Sequence, residues 1–539
     1  MTFNLINDAW IPVKRMDGTK ELITPWQLTD ESNPIISLAA PRPDFNGALI
    51  QFLIGLVQTT MTPKNERGWK NILKNPPRQE YLKDMFGKVS PAFNLDGDGP
   101  CFMQDFDLKA NASEDYEKLP IERLLAGMAG DNTIAQNRDH FIKENTVSNI
   151  CYSCCATALI AVENYVNFGR GHRTPLRGAN ALTTIVLSDR LWETIWLNVM
   201  SQEELFSPKY GDSSKSETGS ILPWMGNSFT RSKEQLVTPQ EVHPYHIFWT
   251  MPYRILLDFS SKDNGNCDLC GCYNHDLITK IVRKPYGINY KGSWIHTLTP
   301  YRAKDKNQFP QKVENGGIYY RHWLGLVQED KGHVFPAPVV ISFYNRKRLF
   351  SDLNDVLKHE PRLWAFGYDS ENANYKCWYE GKMPLINVEE QILSAFELEA
   401  AKILKLAEIA FYNTQRSVIK VLQESVFKGT DKINQDKLSK IDYTNTRFWS
   451  NTESSFYDIL DEVHQLLLCG NSTFETEQKW LKFISKVSMG IFDDYSQASQ
   501  IEVTNPKRIA KVRGELLFFN SLSNKEIQQL LEISKNGNN

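Results

Sequence analysis

Asn132 to Gly178 reads NTIAQNRDHFIKENTVSNICYSCCATALIAVENYVNFGRGHRTPLRG. A polar loop around Phe141-Ile142-Lys143 comes first, then Cys151-x-x-Cys154, then an apolar segment with helical spacing at Ala158, Leu159, Val162 and Val166. It closes with Phe168-Gly169-Arg170-Gly171-His172-Arg173. Two glycines let backbone come close to a ligand, and Arg170, His172, Arg173 and Arg177 add positive charge. An ordinary glycine turn with solvated arginines fits the same letters. Two candidate contact loops thus flank one candidate metal knuckle.

The cysteines extend that knuckle across the chain. Six of the nine fall in two clusters, Cys151, Cys154, Cys155 and Cys267, Cys270, Cys272, each holding a C-x-x-C. In a reducing compartment, two such turns suit one tetrahedral zinc, with Cys151, Cys154, Cys267 and Cys270 as ligands. Four thiolates leave no position for water, so a bound Zn2+ is structural rather than catalytic. Buried free cysteines, two unrelated turns and a redox pair are the competing readings.

At 539 residues the chain is too long for one core and divides into domains. A net charge of -3 and a pI near 6.4 exclude a protein coated in positive charge, so nucleic-acid contact must come from local patches. MTFNLINDAWIPV lacks the basic start of a signal peptide, and no apolar run suits a membrane span, so a soluble cytoplasmic protein is expected. Strands are expected at Phe3 to Val13 and Lys20 to Ile23, around Asp17-Gly18, and a buried helix follows, capped by Asp44. Residues 76 to 118 read as loops with short strands. Further strands are expected at Thr183 to Leu187, Thr194 to Val199, His246 to Asp258 and Val339 to Phe343, and Gly367 to Ala373 reads as a turn. Lys280, Arg283, Lys284 and Lys291, interleaved with Tyr286, Tyr290 and Trp294, suit a nucleic-acid surface or a charged hairpin edge.

After Pro384 the composition changes. Val388 to Lys428 lacks Gly and Pro and carries a helical stripe, and three further amphipathic segments follow with a short tail helix. The last long segment carries Lys507, Arg508, Lys511 and Arg513, a phosphate-contacting face or a solvated one. The expected fold class is α+β: a large mixed N-terminal domain with a zinc knuckle over 1–385, then an all-α C-terminal four-helix bundle over 386–539.

Catalytic motifs are scarce. No Walker loop, G-x-S-x-G or H-E-x-x-H occurs, His243-x-x-His246 falls in a strand-like run, and His275-Asp276 stands alone. A zinc-dependent nuclease or hydrolase is therefore the alternative reading, and a scaffold without DNA contact is a third.

Taken in order, NLINDAWIPV, LLAGMAGDN at Leu124 to Asn132, the double C-x-x-C, FGRGHRTPLRG, AFGYDSENA at Ala365 to Ala373 and the terminal helices resemble the CasA family, the large subunits of type I-E CRISPR Cascade. The resemblance spans nearly the whole chain. It implies a non-catalytic subunit that checks double-stranded DNA for a protospacer-adjacent motif (PAM) through the minor groove and starts unwinding. It also implies partners: the other Cascade subunits, CRISPR RNA, and a helicase-nuclease that docks after R-loop formation. On this sequence the family's glycine loop matches Phe168, Gly169, Arg170 and Gly171, with Arg170 standing where the family has another glycine. The lysine finger matches Lys284, beside Arg283 and Lys280. The wedge matches Asn372, next to Ala373, where the family has glutamine. Phe141, Ile142 and Lys143 match the tip of the N-terminal loop, and the zinc cysteines match Cys151, Cys154, Cys267 and Cys270. Arg173, Lys507, Arg508 and Lys511 are candidate backbone contacts.

Overall fold

The helix Pro43–Met61 begins where a proline supplies the helical φ and has no amide hydrogen to satisfy. Fifteen of its nineteen residues are buried, so neighbours surround it on every side. Its polar members are matched: the Gln58 amide pairs with both main-chain groups of Met200, at 2.8 and 2.9 Å. Asp44, expected as the cap, lies inside the first turn and is held by Arg42 at 2.9 Å and by the Tyr368 hydroxyl at 2.9 Å.

The computed structural model describes residues 2–110, 117–137, 139, 141–166, 168, 172–226, 236–260, 263–304, 307–330, 333–371, 374–426, 444–498 and 506–532. The chain forms two compact units, Met1–Val313 with Phe335–Leu385, and Glu314–Val334 with Ile386–Asn539. Residues 314–334, which the sequence reading left in the first domain, thus belong with the second unit. Among the described residues no helix is long and apolar enough to cross a membrane.

In the first unit the buried helix packs mainly on the helices Tyr152–Tyr165 and Leu191–Leu197, and the strands form small antiparallel sheets. Ile11–Arg15 pairs with Lys20–Ile23 and Ile35–Leu38; the strand expected from Phe3 starts only at Ile11, because the Asp8 amide turns back onto the Asn4 carbonyl at 2.9 Å. Arg362–Glu371 forms a long hairpin with Asn374–Pro384 and pairs on its other edge with Thr183–Leu187. Gly367 to Glu371, read as part of a turn, are therefore strand residues. Four other expectations fail. Thr194 to Val199 lies mostly in the helix Leu191–Leu197, where Trp192 and Trp196 stack one turn apart at 5.8 Å. Val339 to Phe343 belongs to the helix Pro338–Leu349, again started by proline and ending in Arg346, Lys347 and Arg348, which favour the negative end of the helix dipole. His246 to Asp258 begins as the 3-10 turn Pro244–Phe248 and becomes a strand only at Arg254–Leu257, while 76–118 contains the helix Gln79–Gly87.

The second unit holds the helices Glu390–Val426, Asn445–Leu468, Phe474–Ala498 and Pro506–Phe519. Val418, Met489, Phe492, Val512 and Leu516 pack from three of them into one core, and the Trp480 indole donates to the Ile403 carbonyl at 2.9 Å. Tyr320 stacks on Phe456 at 4.2 Å and bonds Thr452 at 2.8 Å, which joins residues 314–334 to these helices.

A Cβ at Gly47 would lie 2.8 Å from both the Phe366 ring and the Tyr165 hydroxyl, whereas a Cβ at Gly490 meets nothing within 4 Å. In urea unfolding of the full chain, Gly47→Ala should lose about 1–3 kcal/mol despite alanine's better helix propensity. Gly490→Ala should gain about 0.5–1 kcal/mol. Equal behaviour of the two variants would contradict this packing.

Candidate metal centre and nucleic-acid interface

Two strand pairings bring the cysteine clusters together. Ile150–Cys151 pairs with Tyr273–Ile278, setting Cys151 opposite Leu277, and Asp263–Asn266 completes the sheet. Between the last two strands the second knuckle turns on Gly271 at φ +73, a left-handed position that suits glycine; its amide donates to the Cys267 carbonyl at 2.8 Å. The first knuckle opens the helix Tyr152–Tyr165, with Cys151 at the N-cap and Cys154 in the first turn, where the helix dipole favours a thiolate. Asp268 ties the two knuckles: its carboxylate accepts from the Ser148 and Asn149 amides at 2.7 and 2.9 Å, and its own amide donates to the Asn149 carbonyl at 2.9 Å.

The sulfurs of Cys151, Cys154, Cys267 and Cys270 all lie within 4.8 Å of one another. Cys151 and Cys270 are 3.8 Å apart, far too long for a disulfide. A tetrahedral zinc with bonds of about 2.3 Å needs sulfurs about 3.8 Å apart, so the quartet fits the ion expected from the sequence. Hydrogen bonds from Cys151 and Cys154 lower the thiol of Cys267, and bring Cys270 down to about 3, whereas those to its three neighbours raise Cys154. Four thiolates here require a cation among them. Cys155 points into the core, fully buried, and Cys272 is exposed. Among the described residues this is the one group of three or more His, Cys, Asp or Glu side chains able to hold a metal. His243 and His246 do not compete: His243 accepts from the Tyr245 amide, His246 is held by Ser220 and Tyr290, and burial lowers both to about 4.

The helix leaving the first knuckle delivers Phe168. Its ring lies 4.7 Å from Tyr253 and 5.3 Å from His172, and the Arg283 guanidinium sits 3.9 Å from its face. The Tyr253 hydroxyl donates to the Val166 carbonyl, and the Tyr253 amide donates to Glu163 at 3.3 Å. Glu163 is wholly buried, and that burial pushes its carboxyl well above the ordinary range, against the hydrogen bond from the Tyr253 amide. Burial and the nearby Arg283 charge lower His172 to about 4, so it is uncharged. Gly169, Arg170 and Gly171 lie outside the described residues. Past them, Arg173 stacks over Tyr286 at 5.2 Å. Arg177, counted in the sequence as charge on this loop, turns inward instead. It bonds Gln51 at 2.7 Å, Thr183 at 2.9 Å and Asn164 at 3.3 Å, and fastens the loop's far root to two helices and a strand.

The strand leaving the second knuckle region is Lys280–Lys284, paired with Arg254–Leu257, with Lys284 opposite Arg254. Neighbouring side chains on a strand face opposite ways, so Arg283 and Lys284 cannot serve the same surface. Arg283 lies on Phe168 and donates to the Arg123 carbonyl at 3.2 Å. Lys284 and Lys280 share the opposite face.

Asn372 and Ala373 lie outside the described residues; in sequence they fall between the paired strands Arg362–Glu371 and Asn374–Pro384. The hairpin is braced on both sides. Asn180, at φ +61, donates to the Ser370 carbonyl at 2.6 Å and accepts from its hydroxyl, and Thr133 bonds Asn374 at 3.0 Å. Tyr368 lies 4.9 Å from Tyr375 and 6.3 Å from Phe141. In the expected loop tip Ile142 is buried and bridged to Met128, so Phe141, packed on Gly127, and the exposed Lys143, paired with Asp139 at 2.9 Å, are its outward members. In the second unit Lys507 and Lys511 are exposed, while Arg508 donates to the Lys420 carbonyl at 2.7 Å.

Residues 4–491 match the family model for CRISPR-associated protein Cse1. The chain belongs to the Cse1 family. The resemblance to CasA read from the sequence is thereby borne out. The fold is similar to Thermus thermophilus CasA (Cse1), with 15% identity and a TM-score of 0.69 over 96% of this chain and 99% of that one. It is also similar to Thermobifida fusca Cse1, with 12% identity and a TM-score of 0.68 over 99% of each chain. A chain of a CRISPR RNA-guided surveillance complex matches with 14% identity and a TM-score of 0.66, over 96% of this chain and 99% of that one. At such identities these likenesses concern the fold alone.

Tyr253, Glu163, Asn180 and the pairing of Arg42 and Asp44 with Tyr368 escaped the sequence reading of this Cse1 member. Only Asn180 carried a local signal, since asparagine tolerates the left-handed region.

Zinc should copurify at one ion per chain with a four-sulfur shell in X-ray absorption. Cys151→Ser and Cys267→Ser should each lose most of the metal, whereas Cys155→Ser and Cys272→Ser retain it. An oxygen or nitrogen ligand in the shell, or loss of metal in Cys272→Ser, would assign the wrong quartet.

Proposed function

We propose that this Cse1-family chain is the non-catalytic DNA-recognition subunit of an RNA-guided Cascade complex. It works in the cytoplasm beside other Cascade subunits and CRISPR RNA. In this reading it examines double-stranded DNA for a PAM through the minor groove, starts strand separation and R-loop formation, and offers the opened target to a helicase-nuclease. Phe168, Gly169, Arg170 and Gly171 form the reading loop, Lys284 is the finger, Asn372 and Ala373 form the wedge, and Phe141 to Lys143 lie beside it. Cys151, Cys154, Cys267 and Cys270 hold a structural zinc that brings rigidity and no reaction. The long helices of the second unit act as a four-helix bundle on which Lys507 and Lys511 meet phosphates, and Arg508 braces that bundle; in the first unit Arg173 is a backbone contact of its own.

One observation carries the reading: residues far apart in sequence, Tyr165 and Phe168, Arg283, and Tyr368 with Trp378, are linked through aromatic rings. Phe168 meets Tyr253 and Arg283, and Tyr165, at the end of the helix leading to Phe168, meets Tyr368 and Trp378 of the hairpin at 6.3 and 5.4 Å. The minor groove presents mostly acceptors plus the guanine amino group, so a lysine and backbone groups distinguish a small set of motifs loosely. Exchange of a DNA duplex for an RNA–DNA duplex is nearly balanced, and a wedge at the first base pairs suffices to tip it.

The test is reconstitution with guide RNA and partner subunits, followed by DNA binding across a library of flanking trinucleotides. Binding should depend strongly on the motif. Lys284→Ala should weaken the preferred motif by about tenfold or more, a loss of about 1.4 kcal/mol. Asn372→Ala should retain motif binding and slow strand opening. A flat response across the library would overturn the assignment.

A further inference from the structure

One cleft in the first unit takes no part in this reading. It encloses about 410 Å³, within the range of small-molecule sites. One face of the helix Pro338–Leu349 forms a wall through Pro338, Ile341, Ser342 and Asn345, residues three and four apart. Met200, Tyr210, Tyr301 and Phe335 make the rest largely apolar and aromatic.

One carboxylate lines this apolar cleft. Glu204 accepts from the Ser342 hydroxyl at 2.6 Å and from Arg346 at 3.1 Å. Arg346 is almost completely buried and also binds both oxygens of Glu66, so a single guanidinium serves two carboxylates. Two half-buried carboxylates on one buried guanidinium leave an excess negative charge, which a proton or cation balances. Glu66 lies outside the cleft lining, and Arg346 holds it below its ordinary range against the effect of burial. Glu204 is the member of the group that faces the cleft, where Lys209 also contributes to the lining; burial raises the Glu204 carboxyl, with Arg346 opposing that effect. The aromatic wall is suited to the same partner. The Lys209 ammonium already lies 4.9 Å from the Tyr210 ring, and the buried Tyr210 hydroxyl has no hydrogen-bond partner. Ile341, 43% exposed in mid-helix, is left as an apolar lip at the mouth.

We propose that this cleft binds a small organic ammonium with an apolar or aromatic body, its charge held by Glu204 and its body by the Tyr210, Tyr301 and Phe335 wall. Nothing in this depends on the DNA-reading role.

Titration calorimetry of the full chain with 2-phenylethylammonium, against neutral 2-phenylethanol, tests it. One saturable site is expected for the ammonium, with the alcohol at least about tenfold weaker. Glu204→Gln should weaken ammonium binding by about tenfold or more. Because Glu204 also supports Arg346, a second variant is needed: Ile341→Trp adds bulk at an exposed position and should abolish the binding heat. No saturation at millimolar ammonium, equal binding of the alcohol, or unchanged affinity in Ile341→Trp would each overturn the proposal.

Discussion

Four sulfur atoms drawn within 4.8 Å of one another fix the first unit, because they close a loop of more than a hundred residues. Such a closure costs chain entropy that grows only slowly with length, so a long loop is a tolerable way to join distant segments. The difficulty is electrostatic: four thiolates so close repel, and a divalent cation removes that repulsion while its binding energy becomes folding energy. Asp268 shows that the chain prepares the site with ordinary hydrogen bonds as well. Its three bonds to Ser148 and Asn149 set the knuckles in register through main-chain groups that need no metal.

From that point two stiff elements run outward. The helix from Cys154 and the strands from Cys270 reach Phe168 and Lys284 after the same number of residues, fourteen in each case. A helix and an antiparallel ladder both resist bending, so a fixed origin translates into a fixed separation at their far ends. Tyr253 and Arg283 then lock those ends together over Phe168. Glu163 supports Tyr253 from below by accepting from its amide, and its burial favours the protonated acid.

What the letters revealed followed from spacing. The C-x-x-C pairs and the long Gly- and Pro-free stretch after Pro384 could be read directly, and the helix Glu390–Val426 lies within the expected bounds. The failures share a cause. Val339-Val340-Ile341-Ser342-Phe343 is β-branched and reads as a strand, yet Pro338 opens a helix there, and Arg346 anchors it through Glu66 and Glu204, partners more than a hundred residues away. Thr194 to Val199 was misread likewise, because Trp196 finds its hydrogen bond on the Trp69 carbonyl, at 2.9 Å, rather than in a sheet. Asp44 looked like a cap because its neighbours on the hairpin were invisible in one dimension. Local propensity is a weak prior when a residue's decisive partner is distant.

The basic residues divide in a way that composition conceals. Arg177, Arg283, Arg346, Arg508 and Arg513 are turned toward the protein itself: Arg177 toward neutral oxygens, Arg283 toward Phe168, Arg508 toward a helix carbonyl, and Arg346 and Arg513 toward carboxylates. A guanidinium stays charged under almost all conditions and presents several fixed donors, which makes it the better internal strut. Lys143, Lys507 and Lys511 remain at the surface, where a compact, strongly hydrated charge loses little. A sequence count of positive residues near the glycine loop therefore overstates the charge that meets a partner there. Each phosphate contact contributes to the salt dependence of binding, so under the proposed function arginines spent inside the protein, such as Arg177 and Arg346, add nothing to that slope. Under the proposed function, discrimination at the first unit's reading loop rests on shape, held by Arg177, Arg283 and the sulfur quartet, more than on the summed attraction of its charges.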